Sequence, residues 1–567
     1  FGQFRALSHG VAVVRGKYDD RSDPGAINHF QALAAALSAT IGLGNIGGVA
    51  LAIGIGGPGA LFWMWVVGFT GMALKTIEIT LAMMYRDTSD PEDPHGGLMW
   101  VIDRTIGARG GRFRPLARVL GCFFCFTLLI STATGGNMYQ SWNVADLSQL
   151  YFGVPRIGTG IVLAVVVGMV IVGGIKRIGR VAGRLVPIMC VLYLLSCFAV
   201  IAQHLSEIPA LLALIVRSAF SETEASGAFL GGAAGFAFAQ GLQRAMFSNE
   251  AGQGSAPIAH AAAKTSEPAR EGIVGGLGPF IDTICICTLT ALVILSTGTW
   301  NRGAVGDFAG PIALAADDAA QDGGDTRIWR VEAANAMDAL PDLPQGQAWS
   351  EGDQFFLLAR VPDNTHRNTT GNTMRVAGRL ERLLEADAQS GRRVGDLIVR
   401  FEPVELSAAE WERPLSPPEL AGPGVYRDFK SAALTSHAFD RAYPGLGKWL
   451  VTAAAWLFAI STMISWAYYG EQGIIYLFGR AWVLPYKLVY LLLAILAPVA
   501  ITTTNQLIAV MDFGTGWMLW SNVPMVILLG YLAVRCNKDY FRRLDAGDFK
   551  PHPAPPINDV VDGRDEP

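Results

Sequence analysis

The chain has 567 residues, of which 51% are hydrophobic and 16% charged, with a net charge of −4; an ordinary soluble domain carries about 25% charged residues. Residues 301–440 hold 22 acids and 14 bases, so the other 427 positions share only 56 of the 92 charged side chains, too few to solubilise a surface, and the bulk of the chain is assigned to lipid. The weak net charge offers no basic field for nucleic acid, and the seven cysteines (122, 125, 190, 197, 285, 287 and 536), all in or beside apolar runs, spell neither a disulfide framework nor a metal quartet.

The chain opens on Phe1 rather than Met, with no signal peptide, and predicts a missing start. Residues 1–33 mix apolar and basic side chains, which suits either an amphipathic arm on the inner membrane face or a plain cytoplasmic loop. A spanning helix needs about 20 mostly apolar residues. Runs of that kind occur at 34–57, 60–84, 116–141, 157–175, 185–204, 228–247, 273–298, 449–478, 484–501 and 506–534. Ten spans are therefore expected. Lys and Arg collect in alternate connections: Arg86 to Arg114, Lys176 to Arg184, Lys264, Arg270, Arg480 and the tail from Arg535. The loops 54–59 and 142–155 hold none. That asymmetry puts both termini in the cytoplasm of a cell (plasma) membrane and the polar segment 300–447 outside. Within this insert, 354–361 and 394–404 read as strands, and 374–388, with Leu380, Leu383 and Leu384, as a helix. A small α+β extracytoplasmic domain is expected. Its Asp317, Asp318, Asp322 and Asp325 lack EF-hand spacing and read as a solvated acidic stretch.

Two spans are written to break. The first carries Gly42, Gly44, Gly47 and Gly48 in its middle, each costing roughly 1 kcal/mol of helix stability relative to Ala. The sixth ends in a glycine-rich run, 247–257, which includes Glu250. An odd number of spans separates the two breaks, so the halves 1–5 and 6–10 can be inverted copies. Interrupted helices at matching places in inverted halves point to a transporter site near the midplane. Bare N–H groups there suit a carboxylate, and bare carbonyls a cation. Glycine-mediated close packing of helices is the duller alternative.

Long motifs carry a resemblance: residues 36–79 (ALSATIGLGNIGG onward), GGNMYQ at 135–140, 173–189, FSNEAGQGSAPIAHAAA at 247–263, 278–292 and LFAISTMISWAYYGEQ at 457–472. In these the sequence resembles the alanine or glycine:cation symporter family, also called the sodium:alanine symporter family. The resemblance implies an all-α inverted five-plus-five bundle of the amino-acid/sodium symporter type. It implies import of small neutral amino acids with Na⁺, or less often H⁺, and one more helix before the arm. The insert, and spans nine and ten, depart from the family pattern.

On that basis the substrate carboxylate is expected at the N–H groups around Gly42, Gly44 and Asn45. Gln140 matches the family's glutamine and would accept from the substrate ammonium, unless it merely ties helices together. The resemblance puts Phe247 and Trp466 beside the substrate side chain; lone aromatics are otherwise packing. For Na⁺ it suggests the hydroxyls of Ser461 and Thr462 with the carbonyls of Ser38 and Ile41, the competing reading being hydroxyls bonded back to their own helix. Buried ionisable residues invite functional roles. Glu250 could carry a proton, balance Na⁺ or, the first choice, bond the loosened backbone. Asp282 lies ten residues into the seventh span. Lys75 and Glu78 suggest an ion pair, and Arg244 a partner for Glu250 or for the inner interface. A receptor that senses through the insert is a second class of function. No enzyme constellation stands above chance.

Overall fold

The computed structural model describes residues 2–563 apart from 21, 224–227, 232–233 and, in the insert, 317–325, 334–335, 344–348, 350, 363, 368–370, 384–392, 408–410 and 412–415. The chain is mostly helical. Among the described residues, seven helices are long and apolar enough to cross a membrane, with an eighth if a pair bent by 48°, His29–Thr40 and Gly44–Gly56, counts as one span. In chain order the rest of the bundle is Gly59–Tyr85, Phe113–Phe152, Arg156–Ile171, Gly174–Gln203, Ala234–Asn249, Pro268–Ser296, Gly447–Phe478, Arg480–Ala500 and the 43-residue helix Thr504–Ala546. These follow the ten expected runs. A short apolar helix at Ile208–Ser218, between the fifth and sixth, was not anticipated. Its 11 residues are too few to cross.

Large apolar side chains cover the outside of the bundle, and Trp520 and Ile527 are 78% and 79% exposed. Such exposure along a helix is costly in water and ordinary in lipid. Inside, small residues allow close helix contact, and the second and seventh spans pack along much of their length.

The two breaks have separate local causes. Asn28 caps the first span, its side chain accepting from the Gln31 N–H; the helix then ends at Thr40, where Ile41 turns extended, and resumes from Gly44 with wider π-helical winding to Gly48. The sixth helix stops at Asn249. Glu250 takes the left-handed conformation (φ 57°) that favours glycine, and helix returns only for Ala256–His260.

The termini meet at one end of the bundle, where the Lys17 carbonyl accepts from the His552 N–H at 3.0 Å. The helix Gly2–Val14 lies against the start of the seventh span, with Leu277 packed over Gly10. The insert occupies the opposite end by the count of crossings. Its strands form one sheet ordered 306–307, 424–427, 354–360, 373–382, 397–401, with 419–420 added to 354–360, and a second ordered 313–316, 326–332, 404–407.

The expected helix at 374–388 is instead the strand Thr373–Arg382, paired on both sides. Val376, Gly378 and Leu380 alternate as buried positions, and a spacing of four satisfies a period of two as well as one of 3.6. Residues 384–388, and Asp317, Asp318, Asp322 and Asp325, lie outside the described residues. No helix occurs among the described residues of the insert before Ala432–Ala442. That helix packs back onto the bundle, the Thr435 hydroxyl donating to the Ile46 carbonyl at 2.8 Å.

Candidate functional site

Between the two breaks lies a cavity lined by Thr40, Gly42, Gly44, Gln140, Phe247, Glu250 and Trp466, among others. Its free volume is about 10 Å³, the room of one water molecule. Five of the six residues read as substrate contacts therefore converge on one point from the first, third, sixth and eighth spans.

Asn45 does not line it. Its side-chain oxygen accepts from the Gly42 N–H at 2.8 Å, and its amide donates to the Asp282 carboxylate and, at 3.3 Å, to the Asp282 carbonyl. The broken strand of the first span is thus tied to the seventh span rather than left bare. The Leu43 N–H donates weakly, at 3.3 Å, to Gln140 Oε1, and Gln140 Nε2 donates to the Gly135 carbonyl at 3.0 Å.

Trp466 reaches the cavity because Gly136 faces it: a Cβ on Gly136 would stand 2.4 Å from the indole. Its Nε1 donates to Glu250 Oε1 at 3.0 Å, while the Ser255 hydroxyl donates to Glu250 Oε2. Glu250 therefore bonds side chains across the break instead of the loosened backbone. Arg244, one candidate partner, pairs with Asp512 at 2.8 Å. The expected Lys75–Glu78 ion pair is not closed: the ammonium and carboxylate do not come within 4 Å, and Glu78 accepts from Asn522 at 2.6 Å.

Around the expected cation site, the side chains of Ser38 and Ser461 meet. Ser38 Oγ donates to the Ser461 carbonyl at 2.8 Å and touches the Ser461 hydroxyl at 2.6 Å, so the hydroxyl of Ser461 serves the first span, not its own preceding turn. Thr462 Oγ1 is buried with no hydrogen-bond partner among the described residues. It faces Gly42, where a Cβ would come within 2.5 Å of it. Ile41 is fully buried and its N–H closes the first half-helix on the Leu37 carbonyl at 2.7 Å. A buried hydroxyl without a partner costs roughly 1–3 kcal/mol, and a cation drawing on its oxygen removes that cost.

Asp282 is saturated: Asn45, Ser248 and Thr283 all donate to its carboxylate. Sequence reading singled out Asn45 and Asp282 separately. The signal that joins them was present, since the first and seventh spans run in the same direction and both residues lie near mid-depth. Sequence reading missed a knot at the terminal end altogether. Glu271 is gripped by the imidazoles of His29 and His260, all three buried. Beside it, Arg86 donates to the carbonyls of Pro24, Ala261, Ala263 and Thr265.

A polytopic bundle with a small polar chamber between two interrupted helices is the architecture of a membrane transporter. The profile of the sodium:alanine symporter family matches residues 1–317 and 420–553. The chain belongs to that family; it is a cation-coupled amino-acid transporter and not an enzyme. It is 42% identical over 316 residues to the sodium/alanine symporter AgcS of Methanococcus maripaludis, a match covering 56% of this chain and 68% of the relative. The probable sodium/glutamine symporter GlnT of Bacillus subtilis is 37% identical over 54% of this chain and 62% of its own length. The putative sodium/proton-dependent alanine carrier protein YrbD of Bacillus subtilis is 29% identical over 96% and 87%.

Proposed function

We propose that this protein imports alanine or glycine with Na⁺ by alternating access in an inverted five-plus-five bundle, with both termini in the cytoplasm and the insert outside. The observation that carries the reading is the chamber at the two breaks. Phe247 and Trp466 wall it so closely that only a hydrogen or methyl side chain suits the space once the chamber opens. The substrate carboxylate takes the Leu43 N–H from Gln140, whose weak bond there is readily exchanged. Gln140 Oε1, so released, accepts from the substrate ammonium. Na⁺ takes the hydroxyls of Ser461 and Thr462 with the carbonyls of Ser38 and Ile41, neutral oxygens being sufficient when several converge. The orphaned Thr462 hydroxyl supports that assignment. Because the ion's ligands come from the first span just before its break and from the eighth span, while the substrate takes the break itself, ion and substrate favour the same closed state, which couples them. The relatives' names, which include alanine and glutamine symporters, support the substrate class.

H⁺ coupling is the second reading, favoured by the buried Glu250 in the chamber wall and the buried Asp282 behind Asn45. Uptake of labelled alanine into proteoliposomes distinguishes the two. We expect uptake to vanish when choline replaces Na⁺ and to survive collapse of the pH gradient. Persistence without Na⁺ but not without the gradient selects H⁺; indifference to both overturns coupling.

A further inference from the structure

A second and larger cavity, about 320 Å³, lies at the outer end where the insert meets the bundle. That volume is at the small end of the range for small-molecule sites. Its walls come from the end of the third span, the start of the fourth, and three parts of the insert, including the segment that leads into the helix Ala432–Ala442. The family profile stops at residue 317 and resumes at 420, so part of the wall lies outside the matched family profile.

The lining holds four acids and four bases. A chamber with balanced charge favours neither a simple anion nor a simple cation; it suits a molecule that carries both signs. Most of these charges are engaged: Arg156 pairs with Asp146 at 2.6 Å, and Arg382 with Glu351 at 2.9 Å. Asp428 and Lys430 differ. Their side chains are only 10% and 15% exposed, their charged atoms stand 3.7 Å apart, and the other Asp428 oxygen stands 3.9 Å from Arg375, all beyond hydrogen-bond length. Neither charged group makes a hydrogen bond to any described residue. A carboxylate and an ammonium this largely enclosed, with no protein hydrogen bond, gain from a ligand that supplies both complements.

We propose that this cavity is a capture site for a free amino acid, its carboxylate on Lys430 and its ammonium on Asp428. The choice of amino acid over other zwitterions rests on the transport reading above; the paired-charge geometry stands without it. Lys430 also connects the site to the chamber below. The next residue, Ser431, is left-handed (φ 50°). Its hydroxyl touches that of Tyr139 at 3.2 Å, and the Tyr139 ring packs edge-on against Phe247 at 5.0 Å.

The test is the stoichiometry of labelled alanine bound to purified full-length protein in saturating Na⁺, up to millimolar concentration. We expect two molecules per chain in the wild type. Asp428→Asn with Lys430→Gln should retain one, and its KM for uptake should rise about tenfold with kcat unchanged, since capture precedes transport. Trp466→Ala should abolish uptake yet also retain one bound molecule, held at the outer site. Glu381→Gln, at an ion pair with Arg400 away from the cavity, controls for folding and should leave the stoichiometry at two. One molecule in the wild type, or two in the Asp428/Lys430 variant, overturns the proposal. Absence of alanine uptake by wild-type protein, with the Asp428/Lys430-dependent molecule still bound, instead refutes the transport reading alone.

Discussion

Thr462 isolates the cation's share of coupling in a single atom. Thr462→Val keeps the shape of the side chain and removes the oxygen that has no other partner. The Na⁺ concentration for half-maximal uptake should rise about tenfold, while KM for alanine at saturating Na⁺ stays within about twofold. An unchanged Na⁺ dependence would remove Thr462 from the ion site. His437 offers a different residue-scale measurement. It stacks on Phe429 with ring centroids 4.0 Å apart, and burial, with Arg302, Arg441 and Arg427 nearby, lowers its pKa from 6.5 to about 3. Between those values the unfolded chain binds the extra proton, so the contribution to stability is complete above pH 6.5 and is lost as pH falls towards 3. By pH 5 the loss is about 2 kcal/mol. Thermal unfolding in detergent should show that slope, and His437→Gln should flatten it.

At the scale of elements, the chamber depends on helices approaching more closely than ordinary side chains allow. Gly136→Ala places a methyl group into the Trp466 indole, forcing the ring off Glu250. Uptake should fall at least tenfold with little change in thermal stability, because the helix itself gains propensity. Retained uptake would show that the indole need not sit where it does. At the terminal end, Arg86 binds four carbonyls from two separate segments, Pro24 and 261–265. Arg86→Ala orphans buried carbonyls and should lower stability by about 3 kcal/mol, with residues 256–265 becoming the first site of trypsin or thermolysin cleavage.

For the whole molecule, the chain enters and leaves the insert side by side, strand 306–307 pairing with 424–425. Replacing 318–419 by a short Gly/Ser linker preserves that pairing and the return helix Ala432–Ala442. The shortened protein should fold and take up alanine with wild-type kcat but raised KM. A protein that folds and loses kcat would instead make the insert part of the transport cycle, which also fits a sensory role.

What the linear order of residues determined was the bundle and the position of its breaks. Twenty-residue apolar runs cannot be satisfied in any other way in lipid, and glycines at 42, 44, 47 and 48 weaken helix wherever they fall. It also named the side chains around the chamber, because the family motifs are long and contiguous. Tertiary structure decided which polar groups face each other: Asn45 turned to Asp282, Glu250 to Trp466, Arg244 to Asp512, and two distant histidines to Glu271. Each of these is a choice among partners at similar depth, set by the rotation of one helix against another, which local spacing does not encode. The same limit applied in the insert, where a spacing of four fitted helix and strand equally until the neighbouring strands 354–360 and 397–401 supplied the hydrogen bonds that made 373–382 a strand.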